Sequence, residues 1–428
     1  MPKLPKRWDV CVVGAGLSGG VVAERLASVL DKSVLVIERR RHIAGNCYDY
    51  AEEETGLRIN LYGPHNFHTN SEDAWKYINK FGRWVHYYHK KLSWSEDLGR
   101  FLPMPVNIET INTLYHENLM GEDEVKPFLE SVSEPCGAQG CRNSEEQAIA
   151  SVGKRMYERF FKGYTQKQWG RDPSELDASV AGRIPVRTSF DNRYFSDRYQ
   201  AQPAHGYTKW MASVLSHANI DLVLGVDYFD VKKELGDRCG ALVFTGPIDL
   251  YFASEGLPRL QYRSLNFEKL VIKDIGPGYY QPGTSVNYPG PEVPYTRSTE
   301  YKHYGPQRSN HTVVVRETSN ADQEPYYPVP SQRNRELYAR YKALAEQEEA
   351  RGVYFVGRLA NYKYFNMDQA IVNALAFFER IAAAPRVGGA NVSAMMGIGD
   401  AGHHQHGHGG PSSASRHKSM AHDRQGQE

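Results

Sequence analysis

The strongest constraint in the chain is Val10-Cys-Val-Val-Gly14-Ala-Gly16-Leu-Ser18-Gly19-Gly20, with Val34-Leu-Val-Ile-Glu38 after it. An apolar run enters G-x-G-x-x-G, a helical pattern covers Val21 to Leu30, and a second apolar run ends in an acid. That order predicts strand, tight turn, helix and strand. Each glycine has its own task. Gly14 permits the turn, Gly16 lets the backbone approach a pyrophosphate, and Gly19 brings the helix close to the sheet. The helix N-terminus offers free N–H groups to phosphates, and Glu38 is placed to accept from a ribose hydroxyl. The motif alone is weak. With both strands, the helix and the acid, it predicts a bound dinucleotide.

A chain of 428 residues suffices for two or three domains. A formal net charge of +1 gives no bulk argument for nucleic acid or an anionic membrane. The 28 Tyr, 16 Phe and 6 Trp suit stacking on planar ligands, although cores use the same residues. Five cysteines, Cys11, Cys47, Cys136, Cys141 and Cys239, are an odd number in a long chain. They are expected to be reduced thiols in a cytoplasmic protein. Cys136 and Cys141 could be half of a metal site, but no second pair follows, and a loop with incidental cysteines is expected. No apolar run is long enough to cross a bilayer. Lys3, Lys6 and Arg7 before Val10–Val13 imitate a signal peptide, but the glycines cut the apolar run short.

Further along, residues 71–82 read as a helix with Trp75, Ile78 and Phe81 on one face, and 83–103 as strands. Residues 108–163 are helical, broken by a Cys/Gly/Glu-rich loop near 132–146, and the run Glu145 to Phe161 is the clearest amphipathic helix. Residues 164–185 lack apolar periodicity and predict a long functional loop. Short β-branched and aromatic runs from 221 to 316 predict a mainly antiparallel sheet. A helix from Glu336 to Arg351, a strand at 352–358 and a final helix from Asn366 to Ala383 close the fold. Past residue 388 a His/Gly/Ser-rich tail cannot bury a core and is expected to be disordered.

Several motifs point the same way. GAGLSG, ERRRHIAGN, YGPHNFHT, LPMPVNIETIN, KGYTQKQWG, VPYTR, PYYP and GRLANYKYFNMDQAI occur in order over about residues 8–384. With them the chain resembles the bacterial UDP-galactopyranose mutase family of flavoenzymes. KGYTQKQWG, VPYTR and GRLANYKYFNMD are the specific pieces. The resemblance implies an α/β fold: a Rossmann-like FAD-binding domain with an inserted helical domain and an antiparallel β-sheet domain. The FAD-binding domain is expected at 1–82, about 203–247 and about 331–385. The helical domain is expected at about 104–185, with a mobile loop at 165–184 acting as a lid over the substrate. The sheet domain is expected at about 83–103, 186–202 and 248–330.

The resemblance also implies reduced FAD, a cytoplasmic homodimer, and exchange of UDP-galactopyranose with UDP-galactofuranose. That reaction has no net redox change, yet the sugar ring opens only if the C1–O bond to UDP breaks temporarily. It therefore needs a nucleophile, N5 of the reduced flavin in the family, and a place to hold the diphosphate. No Ser-His-Asp or Cys-His set is required. By resemblance Arg183 and Arg297 hold the diphosphate, a role that suits bidentate guanidinium groups. Tyr194, Tyr327 and Tyr364 reach it with hydroxyls. Tyr164 and Trp169 stack on uracil, and Asn287 orients the nucleotide. His65 lies near flavin and sugar, where it can hydrogen-bond or move a proton. The flavin is expected to contact Gly14, Gly16, Ser18, Gly19, Glu38, Arg39, Gly45, Asn46, Tyr62, Gly63, His65, Arg358, Met367 and Asp368. No metal is expected, since His65-x-x-His68 has no further ligands close in sequence. His89 stands near the sugar and leaves room for a related UDP-sugar such as UDP-N-acetylgalactosamine. The competing readings are an amine-oxidase-like FAD oxidoreductase and a flavin-free binding module.

Overall fold

Trp8–Val13 and Val34–Glu38 form the two expected strands, and the helix Leu17–Leu30 joins them. Our computed structural model describes residues 6–383. The predicted tail at 388–428 lies outside these. The two strands sit inside a five-stranded, all-parallel sheet ordered Ile220–Leu224, Val34–Glu38, Trp8–Val13, Cys239–Phe244 and Val353–Phe355. Every residue of Val34–Glu38 is buried, because helices cover both faces of a parallel sheet. On one face Val10, Val12, Val34 and Val36 pack with Leu26, Met211, Ile371 and Phe378. The final helix, Met367–Ala382, lies against Leu17–Leu30 on this face.

The expected antiparallel region from 221 is therefore corrected at its start. Residues 220–224 and 239–244, with the helix Tyr228–Leu235 between them, belong to the parallel sheet. Short apolar runs read alike in both sheet types, so the pattern could not separate them.

A second sheet has seven strands: Tyr327–Pro328, Tyr262–Ile272, Thr312–Asn320, Arg297–Glu300, Ser285–Asn287, Lys91–Ser95 and Arg100–Met104. It is mixed rather than purely antiparallel, because Ser285–Asn287 runs parallel to Lys91–Ser95. The other pairings in it are antiparallel. A third, small sheet joins Phe67–Thr69, Tyr199–Pro203 and Trp84–His86. Residues 83–103 are thus divided between two sheets.

The helical region packs around Met104, Ile108, Ile111, Val152, Met156 and Phe160. The expected long helix from 145 to 161 is interrupted. Ser144–Val152 stops at Gly153, whose φ of +79° ends the helix, and the chain resumes as a short turn and a π-helical stretch over Tyr157–Lys162. The predicted loop at 165–184 is largely helical: Gly163–Trp169, a 3₁₀ turn at Pro173–Glu175, and Ser179–Gly182. These pieces are too short to show periodicity. The turn at Pro173 is capped by Asp172 and Glu175.

The cysteines also correct an expectation. Cys11 and Cys239 are disulfide-bonded across neighbouring strands, and Cys136 is bonded to Cys141. Only Cys47 is free among the described residues, and burial pushes its thiol up to about 12. A pairing across 228 residues is set by strand order and cannot be read from spacing. No helix among the described residues is long and apolar enough to cross a membrane.

Candidate active site

Two cavities meet inside the molecule. The first, of about 400 Å³, begins at the glycine turn and is lined by Gly14, Gly16, Ser18, Glu38, Gly45 and Asn46 among others. The second, of about 180 Å³, is lined from the mixed sheet, the small sheet and the start of the final helix, and carries Lys91, Arg183, Tyr194, Arg297, Tyr327 and Tyr364. His65, Arg358 and Met367 line both.

The first cavity has the form of a phosphate cradle. Gly14 has φ +105°, and a Cβ there would stand 2.3 Å from Thr245 Oγ1. A Cβ on Gly19 would stand 1.9 Å from the carbonyl oxygen of Gly14, so helix and turn touch backbone to backbone. Gly45 also approaches Gly16: its Cβ would lie 2.9 Å from Gly16 Cα. Glu38 is buried and held by two main-chain donors, the N–H of Ala15 and of Arg40, each at 2.9 Å. Arg39 and Arg40 both pair with Glu324 at the rim. Arg40 also donates to Asn46 Oδ1 at 2.9 Å and lies over the Tyr62 ring.

Asp368 is the second residue of the final helix, behind Asn366 at its cap. It accepts from Thr69 Oγ1 through Oδ2, while its Oδ1 is buried with no partner among the described residues. It does not line either cavity, whereas Met367 lines both.

The second cavity is dominated by positive and aromatic groups. Arg297 makes a bidentate pair with Glu317, whose side chain is fully buried. Register explains the pair: Arg297 stands directly opposite Glu317 on antiparallel strands. Burial alone would lower the Arg297 pKa, but Glu317 outweighs it and holds the guanidinium firmly charged. Arg183 is exposed at the end of Ser179–Gly182, donates to Asn366 Oδ1 at 3.0 Å, and lies 4.0 Å from the Tyr364 ring centre. No carboxylate pairs with it among the described residues. Arg358 donates to the carbonyl of Phe365 and faces the rings of Tyr327 and Tyr364.

His65 bonds through Nδ1 to the Gly63 carbonyl at 2.8 Å. A carbonyl only accepts, so Nδ1 carries the proton and Nε2 is left as an acceptor in the neutral ring. Burial, followed by the charges of Arg358 and Arg297, pushes His65 down to about 4 from its ordinary 6.5. The linkage sign follows from the lowered value. Between 6.5 and 4 the unfolded chain binds a proton that the folded site refuses, so this contribution is complete above 6.5 and is lost as pH falls to about 4. The wild-type melting temperature is expected to fall more steeply over that window than that of His65→Gln, as thermal scans across pH will show; parallel curves would refute the assignment. His89 is also buried and held well below its ordinary value by burial, then by Lys91, Arg297 and His68.

Comparison with known proteins now bears on this geometry. A family model described as UDP-galactopyranose mutase matches residues 159–364, and one described as an NAD(P)-binding Rossmann-like domain matches residues 12–81. A probable UDP-galactopyranose mutase from Klebsiella pneumoniae is 37% identical over 86% of this chain and 93% of its own length. The chain belongs to the UDP-galactopyranose mutase family. A dTDP-fucopyranose mutase from Escherichia coli is also 37% identical, over 86% of this chain and 96% of its own. A crystal structure of reduced UDP-galactopyranose mutase superposes with TM-score 0.66 at 14% identity, covering 91% of this chain and 96% of that one, and shows the shared fold.

Of the substrate residues expected from the family motifs, the structure brings Arg183, Arg297, Tyr194, Tyr327, Tyr364 and His89 onto one cavity wall, together with His65, Tyr62 and Gly63. Tyr164, Trp169 and Asn287 do not line it. Trp169 was expected at a loop edge, but is 6% exposed and packed against Leu176, Val329 and the edge of Tyr364. Asn287 stands opposite Arg297, and its Oδ1 is buried without a partner among the described residues.

Two residues of this cavity escaped the sequence reading. Glu317 is visible only through strand register. Lys91 left no signal either: period-2 alternation in Lys91–Ser95 would turn Leu92 and Trp94 inward, yet the structure buries Lys91, Ser93 and Ser95. A lysine on an inward face needs a reason.

Proposed function

We propose that the chain interconverts UDP-galactopyranose and UDP-galactofuranose, with FAD in the glycine-lined cavity and the sugar diphosphate in the cationic one. The observation that carries this reading is the junction of the two cavities at His65, Arg358 and Met367. There a cofactor ring and a sugar can meet.

The glycine cradle fits an FAD diphosphate. Gly14, Gly16 and Gly45 leave its backbone bare, and Glu38 offers carboxylate lone pairs to a ribose. Reduced FAD supplies the nucleophile that no side chain here provides. The chain's own residues do the rest. Arg183, exposed and without a carboxylate, grips the diphosphate as negative charge grows on it. Arg297, fixed by Glu317, offers its remaining N–H edge. Tyr194, Tyr327 and Tyr364 add hydroxyl donors and exclude water. Neutral His65 presents Nε2 to a sugar hydroxyl and can accept its proton during ring opening.

The test is chromatography of UDP-galactopyranose and UDP-galactofuranose after incubation with dithionite-reduced protein. Interconversion by the reduced protein alone is expected, with kcat for Arg183→Ala lower by about 100- to 1,000-fold. No exchange by reduced, flavin-loaded protein would sink the reading for this sugar. Exchange of a deoxyhexose on a thymidine carrier instead would favour the chemistry named for the Escherichia coli relative.

A further inference from the structure

Lys91 opens the strand Lys91–Ser95 and is held on both sides, by Ser285 of a parallel neighbour and Met104 of an antiparallel one. Its backbone position is therefore fixed, and its side chain points into the cationic cavity. The residue is 6% exposed, and its Nζ lies 4.1 Å from the centre of the Tyr194 ring. No carboxylate reaches this Nζ among the described residues. Glu317, the one carboxylate on the cavity wall, is already committed in bidentate fashion to Arg297.

Charge on the wall can now be assigned. Arg297 and Glu317 cancel. Arg358 faces both cavities and is placed to serve the cofactor. Among the described residues, two basic side chains on this wall then lack a carboxylate partner: Arg183 at the mouth and Lys91 inside. A nucleoside diphosphate bound to a neutral sugar carries two negative charges. We propose that Lys91 is a diphosphate-binding residue of this site, supplying with Arg183 the positive charge that Glu317 takes from Arg297. This rests on the diphosphate-sugar reading above.

The surroundings of the amine add a consequence. The groups facing it are Tyr194, His89, Arg183, Arg297 and Glu317. Burial first, then Arg297 and Arg183, hold the amine well below its ordinary range, with Glu317 opposing. Without ligand the amine gives up its proton readily. An arriving diphosphate reverses the local field, and the amine takes a proton from the buffer. Binding of UDP therefore carries proton uptake, while uridine, with no phosphate, does not.

The experiment is titration calorimetry of flavin-loaded protein with UDP and with uridine, in two buffers of different ionisation enthalpy. For Lys91→Met, which keeps the length and apolar stem, uridine affinity is expected to be unchanged. UDP affinity falls about 10- to 100-fold, and the proton uptake disappears. Lys91→Arg, always charged, retains UDP within a few-fold without the uptake. A Lys91→Met protein that binds UDP as the wild type does overturns the proposal. So does uptake that persists in Lys91→Met, which would move the proton to a histidine. Wild type that binds no UDP overturns the diphosphate-sugar reading itself. Bound-flavin absorbance confirms that each variant is folded.

Discussion

Arg297→Ala is expected to lower the stability of the fold by about 3–5 kcal/mol, and adding Glu317→Gln to it is expected to restore most of that loss. The reason is the carboxylate left behind. Glu317 is fully buried on the interior strand Thr312–Asn320, and both its oxygens are bound by Arg297. Remove the guanidinium and an unpaired charge remains on a fully buried side chain. Glutamine has the same shape and no charge, so the double variant loses only hydrogen bonds. Glu317→Gln alone leaves Arg297 charged but beside the cavity and its solvent, so it should cost less. Denaturant unfolding of the three variants settles the matter; losses that simply add would mean that the pair is not coupled. Turnover should separate from stability. The double variant is expected to fold but stay inactive, because the diphosphate site proposed above would lack one of its arginines.

Gly19→Ala is expected to give a protein that purifies without flavin and melts at lower temperature, with a cost of about 1–3 kcal/mol or more. The added Cβ would lie 1.9 Å from the Gly14 carbonyl oxygen and 3.2 Å from a Val12 methyl. Neither contact is the end of a flexible side chain. The helix Leu17–Leu30 must back away from the turn, and the N–H groups at its start, which the proposed cofactor site uses for phosphate, move with it. Gly137→Ala, with nothing within 4 Å of its Cβ, is the control and should change stability by less than about 0.5 kcal/mol. Absorbance of the purified protein reads cofactor content directly. A yellow Gly19→Ala protein with normal melting would show that the contact relaxes at little cost.

These two residues also mark how far the sequence could be read. The glycine turn was legible because it is local: turn, helix and acid lie within residues 10–38 and each obeys its own steric rule. Arg183, Arg297 and the tyrosines were legible as pieces of family motifs. Glu317 was not, because it faces Arg297, 20 residues away, only through the register of two strands. Trp169 was misplaced for a related reason. A Gly/Pro-rich segment without periodicity reads as loop, yet short helices fold it back so that Trp169 packs on Leu176 and Val329. The cysteine pairs failed likewise, since Cys11 meets Cys239 only once the sheet order is known. What escaped was in each case a relation between distant segments.

The strand order of the parallel sheet has a consequence for how the chain is made. Trp8–Val13 lies at the centre, yet one neighbour is Cys239–Phe244, and the far edge is Val353–Phe355. A ribosome delivers the apolar run Val10–Val13 first and the strands that enclose it last. More than half of the chain must be synthesised before that run gains its second neighbour. Through that interval the nascent chain carries a bare, aggregation-prone strand edge. The nucleotide pocket, first in the sequence, is among the last parts of the molecule to be finished.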